Sequence, residues 1–139
     1  QNKMKLLGFN FNKISVEKLG EKPAETKVST NINVSEIKAV KVAMLKSKED
    51  VLGIKFAYKV SYSPDYAEVD LQGAIMVSLE PKVAKKVLKE WDSKKMPEEF
   101  QGSLFNLILA KSSVKALQLE EEMNLPFHIP LPSVKPQDK

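Results

Sequence analysis

Residues 54–79 read IKFAYKVSYSPDYAEVDLQGAIMVSL, and the fold follows from how this stretch divides. Ile54, Phe56, Tyr58, Val60 and Tyr62 alternate with Lys55, Ala57, Lys59 and Ser61, the period of two that puts one strand face in a core and the other in water. Ser63-Pro64-Asp65 supplies turn residues. After it Ala67, Val69, Leu71, Gly73, Ile75, Val77 and Leu79 alternate with Glu68, Asp70 and Gln72, so two long antiparallel strands joined as a hairpin are expected.

The same period extends toward the N-terminus. In KVSTNINV (27–34), Val28, Thr30, Ile32 and Val34 alternate with Ser29, Asn31 and Asn33, which predicts a half-buried strand. The stretch from Ile37 to Met44 reads as its extension, and the charged residues 46–50 read as a loop. In LGFNFNKISV (7–16), Leu7, Phe9 and Phe11 share one parity while Ile14 and Val16 take the other. A slip of one residue inside a strand pattern predicts a bulge. A Gly-Glu-Lys-Pro turn at 20–23 separates these two strands. Four antiparallel strands imply a sheet with one covered face.

Beyond Leu79 the period changes. Pro81 suits a first helical turn, and Val83, Val87, Leu88 and Trp91 make an apolar stripe opposite Lys82, Lys85, Lys86 and Lys89. Pro97, Glu98 and Glu99 open a longer helix reaching about Met123, with Phe100, Leu104, Leu107, Ile108, Val114 and Leu117 as its stripe and Phe105 and Leu109 as a second apolar flank. The chain then closes on LPFHIPLPSVKP (125–136), whose prolines forbid a helix and favour extended backbone. On a period of two, Leu125, Phe127, Ile129 and Leu131 share one face that needs something to lie against.

Composition narrows the function. A chain of 139 residues buries roughly two-thirds of its unfolded surface as one domain without staples. Cysteine is absent, which removes disulfides, thiolate nucleophiles and sulfur-ligated metal sites and fits a cytoplasmic protein. No apolar run is long enough for membrane insertion, no signal peptide is expected, and Gln1 to Lys3 read as additions before a start at Met4. All 22 basic residues are lysine; without the arginine fork, and at a net charge of only +4, nucleic acid is not the expected partner.

The chemistry-bearing residues are sparse. His128, the single histidine, has no cysteine partners and reads as a packing or surface residue rather than a metal ligand or catalyst. Glu68 and Asp70 share a strand face, as any solvated strand shows, and the lysines of the first helix read as a solvated face. No glycine-rich phosphate loop and no nucleophile elbow occurs. No catalytic residue, metal or cofactor is assigned. The surplus of apolar surface on the second helix and the tail is either buried within the monomer or directed at a partner chain or client.

The order of elements resembles the SecB-like export chaperones. AEVDLQGAIMV (67–77), PEEFQGSLFNLIL (97–109) and LPFHIPLP (125–132) carry the resemblance, which covers most of the chain. It implies an α+β fold, a single SecB-like domain over residues 1–139, with a four-stranded antiparallel sheet followed by two helices packed on one face. It also implies a homo-oligomer, dimer or tetramer, and a non-enzymatic chaperone that binds unfolded or export-competent polypeptides in apolar grooves. Phe100, Leu104, Phe105, Phe127 and Ile129 are the client-binding candidates. The family's bacterial members are typically acidic and this chain is slightly basic, so a general holdase fits better than a secretion-specific role. Two other readings stand beside it: an oligomeric scaffold or regulatory protein without clients, and a small-ligand-binding domain with a pocket between sheet and helices.

Overall fold

The computed structural model describes residues 4–41, 48–132 and 134. Strands β1 (Lys5–Lys18), β2 (Lys27–Val40), β3 (Asp50–Ser63) and β4 (Ala67–Leu79) precede helices α1 (Pro81–Trp91) and α2 (Glu98–Glu122). The α+β reading holds, and the strands form one antiparallel sheet in the order β1-β4-β3-β2. β2 to β4 are a meander, and β1 returns beside β4 at the far edge. The crossing from β1 to β2 passes the end of the central hairpin, where the Leu19 and Gly20 N–H groups both donate to the Tyr66 carbonyl.

Register carries the alternation across all four strands. Tyr58 of β3 faces Ile32 of β2 on one side and Leu71 of β4 on the other, and Phe56 lies opposite Gly73. The even-numbered residues of β3 from Leu52 to Tyr62 and the odd-numbered residues of β4 are buried, whereas Lys55 and Lys59 are exposed. The expected bulge in β1 lies between Phe11 and Lys13; further irregularities occur between Leu6 and Gly8 and between Val34 and Glu36. Each one resets parity, so Phe11 and Ile14 reach the same face although they are three positions apart. Gly73 makes room for this arrangement. An added Cβ there would collide with the Asn10 carbonyl oxygen and approach the Phe56 ring to 2.9 Å. Phe9, Phe11 and Phe56 close over the gap, with ring centroids 5.2–6.2 Å apart.

β2 ends at Val40, Lys41 is outside the strand, and residues 42–44 of the predicted stretch lie outside the described residues. Asp50, predicted as loop, opens β3. Both helices begin at their prolines, with Pro81 as the first residue of α1 and Pro97 as the N-cap of α2. α1 lies over β2 and β3, and α2 over β4 and β3.

The buried row of α2 departs from the apolar stripe. Phe100, Leu104, Ile108, Ser112, Ala116 and Glu120 face inward at a constant spacing of four, and Val114 points to solvent. Steps of four residues rotate the contact line by roughly 40° each, which suits a helix lying obliquely across a twisted sheet. Val114 is off that line. Ser112 and Ala116 are the small residues of that line, both 0 % exposed.

Candidate functional site

The row of fours ends on a carboxylate. Glu120 sits at the last full turn of α2 with its side chain 0 % exposed, a place where a charge must be paired. The chain supplies the partner itself. After the C-cap Met123, Asn124 takes φ 55°, the left-handed value that asparagine tolerates, and the Asn124 and Leu125 N–H groups donate back to the Glu121 and Glu120 carbonyls. This reverses the chain over the helix and carries the tail along β3.

Two tail side chains turn inward. Leu125 is 5 % exposed, and the His128 side chain is 1 % exposed. The imidazole Nδ1 lies 3.0 Å from Glu120 Oε1 and 2.8 Å from Oε2, and the His128 backbone N–H donates to Oε1 at 3.1 Å. Nδ1 thus sits between the two carboxylate oxygens. With Nδ1–H committed to the carboxylate, Nε2 accepts from the Tyr58 hydroxyl at 2.7 Å, and that hydroxyl oxygen accepts from Ser113 Oγ at 3.1 Å. Four residues further along β3, on the same face, the Tyr62 hydroxyl donates to the Pro126 carbonyl.

Burial raises the pKa of both phenols above the ordinary 10.0, and the Glu120 charge adds to it; at Tyr58 the Ser113 hydrogen bond opposes the shift. The cluster therefore keeps neutral phenols against a buried carboxylate–imidazole pair. It offers donors and acceptors for polypeptide backbone. No group of three or more His, Cys, Asp or Glu side chains that could hold a metal occurs among the described residues.

The five client-binding candidates fall into two sets. Phe100 and Leu104 are buried under α2 against the sheet. Phe105 and Ile129 are half-buried, and Phe127 is 40 % exposed. The expected common face of Leu125, Phe127, Ile129 and Leu131 is not formed: Leu125 and His128 point in, and Phe127 and Leu131 point out. The tail adopts no strand, and Asn124 rather than side-chain alternation sets its direction. His128 does take a packing role, as a fully buried one. Sequence reasoning missed Glu120, Tyr58 and Ser113 as its partners. Glu120 had a signal: it continues the Phe100, Leu104, Ile108 spacing.

The open face of the sheet is ionic. Lys13 lies 2.8 Å from Asp70, which raises the lysine pKa; Lys59 pairs with Glu68 at 3.7 Å and Lys55 with Glu36 at 3.9 Å. Glu68 and Asp70 are thus tied to lysines. Exposed apolar groups gather elsewhere, at Leu109 and Val114 of α2, at Phe127 and Leu131 of the tail, and at Leu6, Leu7 and Ile14 of β1.

No known family profile and no curated protein matches this sequence. Among solved structures, the chain is similar to a SecB-like chaperone of Mycobacterium tuberculosis, solved in complex with a ChAD peptide from the HigA1 antitoxin. The likeness covers 96 % of this chain and 93 % of that one, with a TM-score of 0.52 at 13 % identity. The fold is SecB-like. Among the described residues no helix is long and apolar enough to cross a membrane.

Proposed function

We propose that this SecB-like chain is a non-enzymatic chaperone that holds extended apolar polypeptide segments, working as a homo-oligomer in the cytoplasm. The observation that carries the reading is the apolar surface left open on the helix side, at Phe127, Leu131, Leu109 and Val114, on a fold whose similar solved structure holds a peptide. Phe105, Phe127 and Ile129 are the contacting side chains in this reading, and Phe100 and Leu104 support them from beneath. The absence of a nucleophile elbow and of a phosphate loop in the sequence also favours binding over chemistry.

The test is suppression of aggregation of a chemically unfolded model protein. Light scattering should fall as the chain is added in molar excess, and Phe105→Ser with Phe127→Ser should weaken the effect while leaving the circular dichroism unchanged. Unaltered scattering at several-fold excess would reject the chaperone. A second reading, an oligomeric scaffold, is favoured by Leu6, Leu7 and Ile14 exposed along edge strand β1. Sedimentation showing oligomers together with no suppression of aggregation would support it.

A further inference from the structure

Residues 125–129 lie on the seam between α2 and β3 in the manner of a bound peptide. Two side chains enter the seam, Leu125 and then His128 three positions on, while Phe127 between them remains 40 % exposed. The backbone is gripped at three atoms: the Leu125 N–H by the Glu120 carbonyl, the Pro126 carbonyl by the Tyr62 hydroxyl, and the His128 N–H by the Glu120 carboxylate. Every receiving group belongs to α2 or β3. Pro126 removes a backbone donor and pre-sets φ, and Pro130 restrains Ile129 before it, so the segment, which bends at His128 and Ile129, has little ordering entropy to lose on binding. The groove reads a spacing, namely an apolar side chain followed three residues later by a side-chain donor. Its buried carboxylate, which accepts from both the His128 backbone N–H and the imidazole Nδ1, is the feature that requires the donor.

We propose that this seam is a peptide-binding groove occupied in cis by the chain's own residues 125–129, and that it accepts in trans client segments of the same pattern, an apolar residue followed at the third position by a hydrogen-bond donor. This rests on the polypeptide-binding reading above and deepens it: the tail is an internal competitor, and clients enter as it leaves. Leu125 fills the apolar position, His128 the donor position, and Glu120, Tyr58 and Tyr62 are the recognising groups.

The experiment uses a fluorescently labelled peptide, NLPFHIPLP, copying residues 124–132, and the full chain. Leu125→Ala with His128→Ala removes both tail anchors. If the tail fills the groove nine-tenths of the time or more, this variant binds the peptide about tenfold or more tightly than the wild type does. On the variant, a peptide with alanine in place of its histidine binds about tenfold more weakly, the loss expected when a buried carboxylate goes unpaired. Equal affinity of wild type and folded variant, or equal affinity for the two peptides, overturns the proposal. Should the double variant fail to fold, hydrogen exchange on the wild type decides. Excess peptide should accelerate exchange of the Leu125 and His128 amides, and unchanged rates overturn the proposal. Aggregation suppression measured on the same samples separates the two ideas. Suppression without peptide discrimination leaves the chaperone and removes the cis ligand; discrimination without suppression does the reverse.

Discussion

Alanine in place of Gly73 puts the packing of β1 to a test of sign. Backbone propensity favours the change, because glycine inside a strand costs about 0.5–1 kcal/mol relative to alanine. No glycine in the chain has a positive φ among the described residues, so alanine meets no conformational penalty of its own. The structure opposes the change. The new methyl would fall inside contact distance of the Asn10 carbonyl oxygen, a backbone atom of β1, and 2.9 Å from two carbons of the Phe56 ring. Phe56 is hemmed in by Phe9 at 5.2 Å and Phe11 at 6.2 Å, so β1 and the aromatic triad must move together. Overpacking of this kind costs about 1–3 kcal/mol, and disturbed aromatic pairs about 0.5–1.5 kcal/mol each. The net expectation is a loss of about 1–3 kcal/mol, or about 3–10 °C in Tm for a domain of this size. Gly102, on the exposed side of α2 with nothing within 4 Å of an added Cβ, provides the contrast. Gly102→Ala should gain about 0.5–1 kcal/mol from the same substitution. Urea denaturation of both variants gives the two signs. A Gly73→Ala protein as stable as the wild type would refute the described approach of β1 to β4.

Two further outcomes follow from the tail. Leu125→Ala should cost about 2 kcal/mol and Phe127→Ala less than about 1 kcal/mol, since only the former side chain is buried; equal costs in urea denaturation would restore the simple alternating face. The Tyr58 and Tyr62 phenols, both raised by burial above the ordinary 10.0, hold their protons longer in the folded chain than in the unfolded one. Their contribution is complete below that value and is lost as pH rises through the folded pKa, at up to about 1.4 kcal/mol per pH unit for each tyrosine. Denaturation midpoints measured from neutral pH to above 10 check this, with tyrosinate absorbance appearing as the chain unfolds. Titration of both phenols at the ordinary value with no loss of stability would contradict their burial.

What was legible in the sequence is what local periodicity encodes. The 54–79 hairpin, the bulge near Phe11 and the proline starts of α1 and α2 all follow from side-chain spacing and from the chemistry of single residues. The strand order was not legible, because β1 finds β4 through contacts some sixty residues apart, such as Phe11 against Gly73, and no local pattern records them. The second half of α2 was misread for a different reason. Val114 was grouped with the core on hydrophobicity, yet the helix crosses the sheet obliquely, and the line of contact passes through Ser112, Ala116 and Glu120. In the tail, proline fixes φ but leaves the facing of the chain to be set elsewhere. Asn124 turns it, and the buried carboxylate of Glu120 draws His128 rather than Phe127 to the inside.

These placements limit where a polypeptide partner can act. The open face of the sheet is occupied by Lys13–Asp70, Lys59–Glu68 and Lys55–Glu36, pairs that a greasy segment would have to strip of water without replacing their contacts. The centre of the helix side is filled by Leu104, Ile108 and the buried residues of β3 and β4. What remains is the perimeter; its β2 edge exposes mainly polar residues such as Lys27, Ser29, Thr30, Asn31 and Asn33, which leaves the β1 edge and the seam where α2 meets the tail. The two differ in chemistry. The β1 edge is apolar through Leu6, Leu7 and Ile14 and suits a flat, repeated contact such as another copy of the chain. The seam combines Leu125 packing with a buried carboxylate and two phenols, which together can satisfy both the side chains and the backbone of an extended segment. A chaperone built on this fold would then use one margin for assembly and the other for clients, and loss of assembly on mutating Leu7 and Ile14 need not abolish capture of a single peptide at Glu120.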